Sequence, residues 1–132
     1  MSNYVDVYLL PLPEKNIDAY REMATDASRI FLKHGALKYR EYIASDLKVE
    51  EVMPFPAVIK LEPGETLVYA SVEFESEDVR NDAMKKIMED PEMMESMKDK
   101  EPPFDYKRMV YGGFRILVDG NEKSTNTSTG GA

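Results

Sequence analysis

The sequence predicts a ferredoxin-like α+β domain: βαββαβ in order, one antiparallel four-stranded sheet, and helices on one of its faces. Two observations carry this. Four β-prone segments are spaced along the chain, with an amphipathic helical segment between the first and second and another between the third and fourth. At 132 residues the chain suits one hydrophobic core and is too short for two.

Tyr4 to Leu12 is apolar and β-prone, broken only by Asp6, and its prolines Pro11 and Pro13 are expected to end the ladder. Asn16 is placed to cap a helix whose apolar stripe runs Ile17, Tyr20, Ala24, Ala27, Phe31 and His34, with Gly35 positioned to take the left-handed turn after it. Leu37 to Ala44 alternates, with Leu37, Tyr39, Glu41 and Ile43 on one face and Lys38, Arg40 and Tyr42 on the other. Residues 46–64 form a long irregular connection closed by Pro63-Gly64.

Glu65 to Glu75 is the third strand, and Ser76 caps a helix bearing Val79, Ala83 and Ile87. Asp90-Pro91 restarts a short helix through Met97, and Met109 to Val118 is the fourth strand. Residues 1–119 are thus expected to form one domain, followed by a small, polar and disordered tail at 120–132.

Composition narrows the function classes. With 25 acidic against 17 basic residues the formal charge is −8, which repels phosphate backbones, so no nucleic-acid partner is expected. The absence of cysteine excludes thiol nucleophiles and zinc thiolate sites. No run of apolar residues is long enough to span a membrane, and the N-terminal segment reads as a strand, so a cytoplasmic protein is expected.

Few residues offer chemistry. His34 is the only histidine and falls at a helix C-terminus, where it can be a capping or packed residue, or a general base with Tyr39 or Glu41 nearby across the Gly35-Ala36 turn. No H-x-x-x-H, H-E-x-x-H or EF-hand spacing occurs, so no metal is expected. The methionines Met84, Met88, Met93, Met94 and Met97 read as packing. In the last strand, Arg108, Val110, Gly112 and Phe114 are expected on one face and Met109, Tyr111, Gly113 and Arg115 on the other, with the paired glycines leaving room beside Tyr111. Nucleophile elbow, Walker loop and dinucleotide fingerprint are all missing, and no cofactor is expected.

Spaced motifs run through the chain: NIDAYREMA from Asn16, HGALKYRE from His34 to Glu41, PGETLVYASVEFES from Pro63 to Ser76, Asp90-Pro91, and PFDYKRMVYGGF from Pro103 to Phe114. Together they resemble the YbaA-like family of uncharacterised bacterial proteins over about Tyr4 to Asp119, with Tyr106 departing from an expected glycine. The resemblance implies a dimeric α+β barrel of ferredoxin-like fold and carries no catalytic residues. A homodimer is also expected from the residues: neither the first nor the third strand has a clearly polar second face, and two such sheets can close on each other.

Two functions follow. The first is a homodimer that binds a small organic ligand and has no assignable activity. The alternative is a cofactor-free enzyme, monooxygenase- or isomerase-like, with His34 as base and Tyr39, Glu41, Arg108 or Tyr111 positioning the substrate.

Overall fold

A computed structural model of the chain describes residues 3–121. Its regular elements are β1 (Tyr4–Pro13), α1 (Ile17–Lys33), β2 (Lys38–Ile43), β3 (Glu65–Phe74), α2 (Glu77–Met88), α3 (Pro91–Met97) and β4 (Val110–Arg115). The sheet order is β2-β3-β1-β4, with each neighbouring pair antiparallel. Each helical connection therefore joins two parallel strands with a third inserted between them, which is the ferredoxin-like topology. Of the tail expected to be disordered, residues 122–132 lie outside the described residues.

Local chemistry explains the element ends. The Val79 N–H donates to Ser76 Oγ at 3.1 Å, and the Glu92 N–H donates to Asp90 Oδ1 at 2.8 Å with Pro91 opening α3. Gly35 takes φ +120° directly after α1, a conformation that strains any residue with a Cβ. Asn16 occupies the expected cap position but its side chain does something else: Nδ2 donates to Pro103 O at 2.8 Å, tying the start of α1 to the approach to β4.

β1 does not stop before its prolines; Pro11 and Pro13 pair opposite Leu67 and Glu65. The reason lies in the direction of the backbone groups, which alternates along a strand. The Glu14 N–H donates toward β3, to Gly64 O, while Asn3 O accepts from Ile116 N–H on the β4 side. Odd-numbered residues of β1 thus face β4, whose pairing ends at Leu9, so neither proline removes a ladder bond. β4 itself is shorter than expected. Tyr106–Arg108 form a 3₁₀ turn, fixed by Asp105 Oδ1 accepting from Lys107 N–H, so Arg108 precedes the strand and does not share its alternation.

Register sorts the sheet into two faces. Toward the helices point Tyr4, Asp6, Tyr8, Leu10 and Leu12 of β1, with Phe74, Val72, Ala70 and Val68 opposite them on β3. Tyr39, Glu41 and Ile43 of β2 and Tyr111 and Gly113 of β4 lie on the same face. Two buried clusters hold the helices there: Leu10, Leu12, Val68, Tyr20, Ala24 and Phe104 at one end, and Val72, Phe74, Ile30, Ala36, Ala83 and Ile87 at the other. Of the five methionines expected to pack, Met84 and Met93 join the second cluster, while Met88 is exposed at the end of α2 and Met94 and Met97 are exposed on α3, a short helix with only part of its surface covered.

The paired glycines have different reasons. A Cβ on Gly113 would overlap the Tyr4 hydroxyl, so glycine there is what lets the Tyr4 phenol lie across β4. A Cβ on Gly112 would meet only the Phe114 ring, at 3.4 Å.

The opposite face carries Val5, Val7 and Leu9 at its centre, half-buried, with Tyr42, Tyr69, Val110 and Phe114 exposed around them. The rings of Tyr42 and Tyr69 stack edge-on across β2 and β3, their centroids 5.5 Å apart. Among the described residues no helix covers these exposed side chains, and none is long and apolar enough to cross a membrane.

Candidate functional site

The helix-facing side of β2 brings a carboxylate into the space under α1. Glu41 Oε1 accepts from Tyr20 Oη at 2.7 Å, and Oε2 accepts from Tyr39 Oη at 2.8 Å. Tyr20 comes from the buried stripe of α1, whereas Tyr39 and Glu41 are two residues apart on β2 and therefore share a face. Burial pushes the Glu41 carboxyl above its ordinary range, against the opposing pull of the two tyrosine donors. Burial and the facing carboxylate also raise both phenols, so Tyr20 and Tyr39 remain protonated donors at neutral pH.

This trio is the shared wall of two chambers. The outer one, about 390 Å³, lies between α1 and the free edge of the sheet and is also lined by Leu12, Ile17, Ala24 and Ile43, with Arg21, Thr25 and Ser28 from α1. The inner one, about 200 Å³, lies over the middle strands beneath Phe104 and Tyr106. Its remaining lining is aromatic, aliphatic and thioether.

A second polar network sits at the β1–β4 end of the same face. Tyr111 Oη donates to Asp6 Oδ1 at 2.8 Å and accepts from Arg80 Nη1 at 2.9 Å, while Arg80 Nη2 donates to Tyr4 Oη at 2.8 Å. The Arg80 guanidinium also lies over the Tyr4 ring, 4.8 Å from its centroid. Asp6 is fully buried, and burial raises its pKa despite the Tyr111 hydrogen bond and the Arg80 charge. The Tyr111 phenol is pushed up to about 12, first by burial and then by Asp6. Tyr8 links the two regions: it lines the inner chamber and packs on Tyr111 with ring centroids 5.0 Å apart.

The residues singled out from sequence thus fall into four places. Tyr39 and Glu41 meet at the chamber wall, and Tyr111 joins the Asp6 network. Arg108 forms a bidentate pair with Glu65, at 2.7 and 2.9 Å, and donates to Lys60 O at 2.8 Å, which fastens the end of the long β2–β3 connection. His34 Nε2 lies 2.6 Å from Asp90 Oδ2, an arrangement in which the ring N–H donates to the carboxylate that caps α3. Lys33 Nζ lies 2.8 Å from the same oxygen, and these two donors hold the Asp90 carboxyl below its usual range. His34 lines neither chamber.

Sequence reasoning missed Tyr20, which reads as an ordinary core position of α1, and Arg80, one charge among many on α2. Asp6 did carry a signal: a carboxylate in an apolar central strand, on the face that also bears Tyr4 and Tyr8.

Fold and site together define a ferredoxin-like α+β protein with a tyrosine-bound carboxyl between helix and sheet. Residues 3–106 match the family described as "Protein of unknown function (DUF1428)", and the chain belongs to that family. It is 41% identical over 116 residues to the "Uncharacterized protein YbaA" of Escherichia coli strain K12, an alignment covering 88% of this chain and 97% of that protein. Solved structures share the fold at low identity. SnoaB, a cofactor-independent oxygenase from Streptomyces nogalater, superposes with a TM-score of 0.52 at 10% identity, over 92% of this chain and 100% of that one. A dimeric ferredoxin-like protein from an uncultured marine organism superposes at 0.51, also at 10% identity, over 90% and 91%.

The raised Glu41 carboxyl has a consequence for stability. A carboxyl whose pKa is higher in the folded than in the unfolded chain holds its proton more tightly when folded. Its contribution is therefore greatest below the unfolded value and declines as pH rises through the folded one. Glu41→Gln cannot titrate, so the stability of the variant relative to the parent should improve as pH rises from the ordinary glutamate value of 4.5 through the higher folded-state midpoint. Urea denaturation of both proteins across that window measures the difference; a difference independent of pH, or one moving the other way, contradicts the assignment.

Proposed function

We propose that this protein binds a small organic ligand in the chambers beneath α1, and that it does so as a homodimer. The observation that carries the binding reading is the Tyr20–Glu41–Tyr39 trio: a partly desolvated carboxyl, with hydrogen-bonding capacity left on both oxygens, set in a wall shared by two cavities. The location of His34, engaged by Asp90 away from both chambers, favours binding over the alternative of a cofactor-free enzyme that uses His34 as base.

The dimer reading rests on the uncovered sheet face. Val5, Val7, Leu9, Tyr42, Tyr69, Val110 and Phe114 make an apolar surface of the kind that marks an interface, and a second copy presents the same self-complementary surface. The marine structure of the same fold is described as dimeric, which fits this arrangement. A cytoplasmic setting and a single domain over 1–119, both expected from the sequence, belong to the same proposal.

Ligand binding is tested by a fragment screen followed with amide NMR. Hits should shift resonances of Leu12, Tyr20, Ala24, Tyr39 and Glu41 together. Hits that cluster elsewhere, or a screen with none, contradict the reading. For assembly, light scattering should give twice the 15.1 kDa chain mass, and Tyr69→Glu should return the single-chain mass; a parent protein that is monomeric at micromolar concentration contradicts the dimer.

A further inference from the structure

Resting on the binding reading above, we infer that the inner chamber is the specific subsite and that it takes one aromatic ring bearing an uncharged hydrogen-bond donor, a phenol or aryl amine, directed at Glu41. Size comes first. A cavity of about 150 Å³ lined by apolar side chains holds a benzene ring, so the inner chamber, at about 200 Å³, has room for one six-membered ring with a small substituent. The wider outer chamber, at about 390 Å³, serves as the vestibule on the far side of the trio.

Shape and wall chemistry select the ring. Tyr8, Phe31, Phe104 and Tyr106 supply aromatic faces and edges, and Met23 and Met109 supply thioethers. Aromatic rings gain offset or edge-to-face contacts beyond their buried area, and sulfur adds favourable contacts at ring edges. The Phe104 and Tyr106 rings are already in such an edge-on pair, with centroids 4.6 Å apart. Tyr106 is exposed, so a ring lining the chamber also stands at the solvent side, where a ligand can enter.

Charge decides the substituent. The chamber wall contains Glu41 and tyrosine hydroxyls as its polar side chains and no cation. Each Glu41 oxygen accepts one tyrosine hydrogen bond, and an ionised carboxylate has about four acceptor positions, so a ligand O–H or N–H can be received without displacing either tyrosine. A carboxylate ligand would instead face a like charge in a desolvated space, with no arginine or lysine to offset it. Arg21, which lines only the outer chamber, is exposed and paired with Asp18 at 2.7 Å.

The test is a matched series on the parent protein near neutral pH: phenol, aniline, benzene, cyclohexanol and benzoate, with Kd values from NMR titration. Phenol and aniline should bind with shifts at Ala70, Val72 and Phe104, which line the inner chamber alone or its approach. Benzene, which lacks the donor, should be weaker by about tenfold or more, the scale of one hydrogen bond to a charged group. Cyclohexanol, which keeps the donor and loses the aromatic contacts, should be weaker by about threefold to tenfold, and benzoate should be weaker than phenol through like charge. Ala70→Leu should remove phenol binding by filling the inner chamber, and Glu41→Gln should weaken it by about tenfold. Benzoate equal to phenol overturns the charge argument, benzene equal to phenol overturns the donor, and cyclohexanol equal to phenol overturns the aromatic preference. If all five fail while other fragments bind in the outer chamber, this subsite assignment falls and the binding reading stands. If nothing binds beneath α1, both fall.

Discussion

The carboxyl of Glu41, shared between one tyrosine of α1 and one of β2, is the contact on which the helix-facing side of this molecule depends. A carboxylate partly withdrawn from water is unfavourable unless its oxygens are occupied, and Tyr20 and Tyr39 occupy one lone pair on each. Because the two donors come from different elements, satisfying the carboxyl fixes how α1 lies across the edge of the sheet. The same trio lines both chambers, while nearer the end of α1 Phe31 packs edge-on against Tyr39 with ring centroids 5.5 Å apart.

The opposite end of the sheet repeats the device with different parts. Asp6 is buried beneath Arg80 and Tyr111, and Arg80 also binds Tyr4, which in turn requires Gly113 beneath it. The helix-facing side of the sheet thus has a polar tether near each lateral edge, one to α1 and one to α2, with apolar clusters between. Tyr8 and its packing on Tyr111 connect the inner chamber to the second tether. The outer side of the sheet carries an apolar patch around Val5, Val7 and Leu9, bounded on β2 and β3 by Lys38, Arg40, Ser71 and Glu73, the last accepting from Asn3 Nδ2 at 2.7 Å.

Much of the fold was legible because its signals are local. Ser76 and Asp90 cap the helices they precede, Gly35 turns the chain after α1, and the period-two pattern of β3 marks both of its faces. The pairing of Tyr39 with Glu41 was legible for the same reason, as residues two apart on one strand. What could not be read were contacts set by tertiary geometry. Tyr20 and Glu41 meet only because α1 crosses the edge strand, and Asp6 and Tyr111 meet only through the β1–β4 register across 105 positions of sequence. Pro11 and Pro13 misled for a related reason: whether a proline breaks a ladder depends on which neighbour its missing N–H would have faced. Arg108 and His34 looked chemical by residue type alone, and the structure engages both in fastening loops and helix ends. The family relationship to YbaA agrees with the fold and does not by itself add a function.

Glu41 is a partly desolvated carboxyl that two tyrosines hold in place. Its titration is observable directly by carboxyl ¹³C NMR of the parent protein, with Glu41→Gln identifying the resonance. A midpoint above the ordinary glutamate value of 4.5 is the predicted result. A midpoint at or below that value would mean that burial does not outweigh the pull of the tyrosine donors, and would contradict the desolvated carboxyl on which the reading of the chambers rests.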